Sequence, residues 1–376
     1  MDRKEYITAI KDVIYLTFCA VNERKPKENR LDKMELTAVY TAAQKHMLTS
    51  ACAMALESAG IKDERFTQTK AKAIRKTAQM DIDRTMLFAE LEKEGIWYMP
   101  LKGVVLKDYY PRYGMRQMSD NDILFDSTRA ADVKRIMESL GFTTERYGER
   151  HHDVYVKPPV SNFEMHNTLF SIKSGERIHN YYADVKERLI KDEGNSFGYH
   201  FTDEDYYIYL TAHEYKHYSN GGTGLRSLLD TYVFLNRSAD KLDFSYIEAE
   251  CEKLGIADFE KQSRHLAADL FGGKNPTEED KEMLKYIVFS GTYGNFENRV
   301  SNQIKKEKHS KLLYMLDRFF VPVSPKSKSY AVFARKFPLF YKYKILLPLL
   351  PFYRVFRSIR SGRFKREANA IKKVNM

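Results

Sequence analysis

The chain has 376 residues, 43% hydrophobic and 13% aromatic, which is the composition of an ordinary folded protein with material for two or three domains. Its formal net charge of +11 is concentrated at one end: residues 301–376 hold 19 Lys/Arg against 3 Asp/Glu, whereas residues 1–300 hold 43 against 48, so the basic balance is no argument that the body binds nucleic acid. Cys19, Cys52 and Cys251 fit neither a disulfide framework nor a zinc spacing, and a reducing cytoplasm is the expected location.

Residues 1–94 read as a helical N-terminal region. The first stretch is interrupted by Lys11 and Asp12 and has no small-residue cleavage site, so it is not read as a signal peptide. Tyr6, Ile7, Ile10, Val13, Ile14 and Phe18 instead follow amphipathic helical spacing, which Pro26 ends. A second helix is expected over 34–58, and a third, with Ile74, Ala78, Ile82, Met86 and Ala89 on one face, runs to Gly95.

From 95 to 200 the pattern becomes α/β. IWYMPLKGVVL reads as strand, glycine turn at Lys102-Gly103 and short helix. A loop then leads into MRQMSDNDILFD, residues 115–126, where period-2 alternation turns Asp120 and Asp122 to one face and Asn121 to the other. Two acids in one small volume call for protons or a cation, and hard ions such as Mg²⁺ favour oxygen ligands. The plain alternative is a solvated Ser-Asp-Asn-Asp turn. After a helix over 128–140 come a short strand at 151–156 and the alternating segment NFEMHNTL, which sets Glu164 and His166 on one face and so offers a third acid. His151 and His152 read as structural.

Residues 201–310 return to helices, broken at Gly221-Gly222, Gly255, Gly272-Gly273 and Gly291. HEYKH, with His213, Glu214 and His217, matches the letters of a zinc-protease helix; the alternative is polar residues on a packed helix near Arg226 and Asp230. Residues 311–376 form a basic, aromatic C-terminal segment. ILLPLLPF, with two prolines, is too short to span a bilayer. The favoured reading packs its aromatic face on the body; an anionic membrane surface ranks second as partner, and nucleic acid or another protein would suit the same charge.

LKG, YP, RQMSDNDILF and EMH, followed by HEYKH with LRSLLD and the late FPLFYKYKILLPLLPFYRVFR, resemble the uncharacterised nucleotidyltransferase family of the polymerase β-like superfamily over most of residues 95–360. The resemblance implies an α+β protein in which a small mixed sheet between helical segments carries three carboxylates. These hold Mg²⁺, as a two-ion site, and a nucleoside monophosphate passes from a nucleoside triphosphate (NTP) to an unknown hydroxyl-bearing acceptor. Asp120, Asp122 and Glu164 would be catalytic and metal-binding; Lys102, Gly103, Arg116 and His166 would bind nucleotide. The departure is Val104, where related enzymes carry a Gly or Ser that touches phosphate. It keeps open a non-catalytic descendant that binds a nucleotide or partner.

Overall fold

The computed structural model describes residues 1–306, 314–315, 319–323 and 330–373. The N-terminal helices are α1 (Arg3–Val21), α2 (Glu28–Leu31), α3 (Leu36–Lys45), α4 (Thr49–Ser58) and α5 (Glu64–Lys93). Asp2 and Glu5 form a reciprocal capping box that starts α1, and Asp63 caps α5. The helix expected over 34–58 is divided. Met47 takes a φ of +55°, and the neighbouring His46 is buried, its Nε2 3.0 Å from the Tyr6 hydroxyl and its Nδ1 3.1 Å from the Leu225 amide that donates to it. The chain leaves the helix to seat that imidazole between distant segments.

Next come β1 (Tyr98–Pro100), α6 (Gly103–Leu106), β2 (Asn121–Phe125), α7 (Ala130–Ser139), β3 (Thr143–Arg146), β4 (His152–Lys157) and β5 (Ser161–His166). The strands form one sheet in the order β1-β2-β5-β4-β3. Only β2 and β5 pair in parallel, with Asp122 opposite Glu164; the other pairings are antiparallel. The edge strand β3 has no fully buried residue, and so no apolar run that marks it in the sequence.

Both faces of the sheet are covered. Ile123, Phe125, Phe163 and Met165 pack with Met80, Leu87 and Leu91 of α5 and with Val133 and Ile136 of α7. On the opposite face, Met99 and Leu124 pack with Tyr206, Tyr207 and Leu210 of α9 (which follows α8, Glu176–Tyr181, and the ribbon β6, Ile190–Lys191, and β7, Tyr199–His200) and with Phe234 of α10. Here α9 is Asp203–Asn220 and α10 is Leu225–Ser238; α11 (Phe244–Leu254), α12 (Ala257–Gly272) and α13 (Glu278–Ser290) follow. Met1–Lys216 and Thr223–Thr292 make one compact unit. The fold is α+β, a five-stranded mixed sheet among helices.

A second unit contains His217–Gly222 and Tyr293–Met376, beginning with α14 (Phe296–Lys306). Phe337, Tyr341, Leu347 and Leu350 bury one another there. Along the helix Leu350–Arg360, Phe352 and Phe356 are 64% and 65% exposed among Arg354, Arg357 and Arg360. No described helix is long and apolar enough to cross a membrane.

The loop between α6 and β2 is tied down by one residue. Arg116 donates from Nε and Nη2 to the two oxygens of Asp230 on α10 at 2.8 and 2.9 Å, and the Tyr110 hydroxyl donates to Asp230 Oδ1 at 2.7 Å. A Cβ on Gly103 would lie 2.3 Å from Arg116 Nη1, so the absence of a side chain makes room for this guanidinium. Asp230→Ala, which leaves a buried arginine without its counter-charge, is expected to destabilise the fold by about 3–5 kcal/mol in urea unfolding. Gly103→Ala should also lower the melting temperature, with the near-ultraviolet signal of the loop tyrosines reporting displacement.

Candidate active site

Alternation in the parallel pair selects the groups on the α9 side of the sheet. Asn121 turns towards α5, where its Nδ2 donates to the Met80 carbonyl at 3.2 Å and its Oδ1 accepts from Arg84 at 2.9 Å. Asp122, Glu164 and His166 turn the other way. One potential ligand atom from each lies within 4.8 Å of the other two. Asp120, just before β2, stands outside that tight group but close enough to interact electrostatically with Asp122 and Glu164.

Lys102 is the counter-charge. Its Nζ donates to Asp122 Oδ1 at 2.6 Å, and the same oxygen is 2.8 Å from His166 Nε2. The backbone at Lys102 has φ +45° and ψ −118°, a region that costs a residue with a Cβ on the order of 1–3 kcal/mol. The left-handed position of the turn is therefore the lysine and not the glycine after it. Three donors hold the Lys102 carbonyl: the Tyr206 hydroxyl at 2.9 Å, the Val105 amide at 3.1 Å and the Leu106 amide at 2.9 Å. They fix the turn that aims the ammonium back at Asp122.

The charges are strongly redistributed. Burial, followed by repulsion from Asp122, pushes Asp120 up to about 7, and the same two causes raise Glu164. Burial also opposes ionisation of Asp122, but Lys102 and His166 outweigh it and hold that carboxylate well below the usual range. On Lys102 the order is parallel: burial disfavours the ammonium, and Asp122 and Asp120 prevail to raise its pKa. Burial lowers all three nearby imidazoles: His151 to about 4 and His152 to about 3, so both are neutral at pH 7, and His166 below its ordinary value against the pull of Asp122.

Two cations at the site escape motif reading. Lys216 on α9 interacts with Lys102, Asp122 and Glu164, and burial followed by the Lys102 charge lowers it to about 8. Arg226 on α10 is lowered by burial and by Arg116, attracts Asp120, and donates to the Gln117 carbonyl at 3.2 Å. Both sit inside stretches noticed for other letters, HEYKH and LRSLLD. Among the described residues, His213 and His217 belong to no group of three potential metal ligands. Glu214 accepts from Thr231 Oγ1 of α10 at 3.4 Å and burial pushes it up to about 7. That is the packed-helix alternative for HEYKH.

Of the expected phosphate contacts, Lys102 lies at the acids, whereas Arg116 is committed to Asp230 and Gly103 to accommodating Arg116. Val104 is buried in the core beneath the turn.

An acidic centre on a parallel strand pair, at the turn of a preceding strand and short helix, defines the class: an α+β protein with a charged site on a mixed sheet. The family follows from comparison. Residues 32–272 match the model of a family described as uncharacterised nucleotidyltransferase, and the chain belongs to that family. No curated protein and no solved structure matches it.

Because Asp120 is raised to about 7, the folded chain holds its proton more tightly than the unfolded chain does. Stability conferred by that proton is present at low pH and falls as pH rises from about 4 to about 7, then levels off. Asp120→Asn should therefore melt higher than the parent at about pH 8 in chelator, and close to it at about pH 4; thermal denaturation across pH checks this.

Proposed function

We propose that this site transfers a nucleoside monophosphate from a nucleoside triphosphate to a hydroxyl-bearing acceptor, with Mg²⁺ held by Asp120, Asp122 and Glu164. The observation that carries the proposal is the in-register placement of Asp122 and Glu164 on parallel strands beneath the Lys102 ammonium. The donor set fits a hard divalent ion: carboxylate oxygens of Asp122 and Glu164 converge, and burial followed by repulsion from Asp122 raises Asp120 and Glu164, a cost that a cation relieves. When bound, Mg²⁺ supplies charge neutralisation and orientation for the phosphate oxygens.

The chain's own groups do the rest. Lys102 exchanges its bond to Asp122 for phosphate oxygens, and Lys216 adds charge that offsets the departing pyrophosphate. The acceptor oxygen attacks the α-phosphorus, its proton passes to Glu164, and the bond to the bridging oxygen breaks as pyrophosphate leaves. His166 positions Asp122. Arg116 acts at a distance by fixing the turn through Asp230, and Gly103 by admitting Arg116. This replaces the direct phosphate contacts expected of both. Rigid support of this kind is what in-line transfer requires.

The test is thermal shift with ATP, CTP, GTP or UTP, each with and without Mg²⁺, followed by incubation with α-labelled triphosphate and cell extract. At a triphosphate concentration 100-fold above Kd, stabilisation of about 2.7 kcal/mol is expected, requiring metal and lost in Asp122→Asn and Glu164→Gln. Label should move to an extract component only with the parent protein. Binding without label transfer would support the non-catalytic reading, and unchanged melting in every condition would defeat both.

A further inference from the structure

We propose that His151, His152 and His166 form a separate metal site beside the carboxylates, selective for a borderline divalent cation of the zinc and cobalt class. One ring nitrogen from each histidine lies within 4.8 Å of the others. Ring centroids are 4.5 Å apart for His151 and His152, 5.2 Å for His152 and His166, and 5.8 Å for His151 and His166. The sheet brings them together. β4 and β5 pair antiparallel with His152 opposite His166, and the His151 carbonyl accepts from the Asn167 amide at 2.9 Å.

A second observation is independent of this clustering. His166 is 2% exposed, and its Nδ1 has no hydrogen-bond partner. Its other nitrogen, Nε2, is 2.8 Å from Asp122 Oδ1, and an ionised carboxylate only accepts. With Nε2 engaged by Asp122, Nδ1 is left in a buried place with no partner. Leaving a buried polar group unsatisfied is costly. A histidine held by a carboxylate at one nitrogen and left without a partner at the other is arranged as a metal ligand, with Asp122 as the group that orients it.

His152 is fixed in a similar way. Arg146 Nη1 lies 3.3 Å from its Nε2, and its Nδ1 lies 3.3 Å from His151 Nε2. An arginine only donates, so His152 accepts at Nε2 and donates from Nδ1 to His151. Metal binding replaces these contacts, and Arg146, on the half-open edge strand β3, turns outward. Glu164 Oε2 borders the set at 3.7 Å from His152 Nε2 and 3.8 Å from His166 Nε2. Imidazole nitrogens favour zinc, cobalt or nickel, whereas the carboxylate oxygens favour magnesium, so ligand chemistry separates the two sites.

The experiment is a Co²⁺ titration of the chelator-stripped full chain in excess Mg²⁺, read by visible d–d absorption with nucleotide absent. One Co²⁺ per chain is expected, with the intense bands of low-coordinate nitrogen ligation. His151→Ala and His152→Ala should each weaken it about tenfold or more, in line with the effect of disturbing even supporting contacts. Asp120→Asn should leave it unchanged. Melting curves in chelator identify variants that fold; if one does not, the other decides. A spectrum of hydrated Co²⁺ only, displacement of Co²⁺ by Mg²⁺, or parent-like affinity in the folded histidine variants would overturn the proposal. Because no triphosphate is present, failure here leaves the nucleotidyl-transfer reading standing, and failure of that reading leaves this result interpretable.

Discussion

Everything at this site depends on keeping negative charge in a place from which water is largely removed. Asp122 is nearly fully buried, and Glu164 and Asp120 stand close to it. Like charges in a medium of reduced dielectric repel strongly, so the fold either binds protons or supplies cations. It does both: Asp120 retains a proton up to near neutral pH, and Asp122 stays ionised because Lys102 is bonded to it. The strained backbone at Lys102 is part of the same balance. Its carbonyl is gripped by Tyr206 and two amides, which spreads the cost of one unfavourable residue over α6 and α9.

The sheet contributes register. Side chains of β2 and β5 alternate, so the residues that carry charge and those that build the core under α5 and α7 are interleaved along the same strands. A slip of one residue would exchange the two sets and bury the acids in that core. Helices on both faces prevent it, because Leu124 is claimed by the α9–α10 layer while Ile123 and Phe125 are claimed by α5 and α7. Packing on the far side of the sheet thus sets the geometry of the charged side.

The parts legible from sequence are those governed by local periodicity. Asp122, Glu164 and His166 share a face because strand alternation is a property of neighbours, and the helical stripe of α1 is local in the same sense. Lys216 and Arg226 were not legible, since they reach the acids only when α9 and α10 fold over the sheet. The interruption at Met47 was hidden because it answers to contacts of His46 with Tyr6 and Leu225, far away in the chain. β3 was hidden for the opposite reason: as a half-exposed edge, it carries little apolar pattern to read. At Lys102-Gly103 the glycine drew attention as the flexible residue, yet the unusual φ belongs to the lysine.

That last reversal changes what the glycine is for. Its missing side chain is filled by Arg116, and Arg116 is held by Asp230, so three positions scattered across the chain act as one inherited unit. A relative that has lost the arginine has no steric reason to keep the glycine, and one that has lost the aspartate has little reason to keep either. Divergence within the family should therefore show these three changing in concert, whereas Lys102, whose task is to face the acids, is free of that linkage and answers to the charge alone.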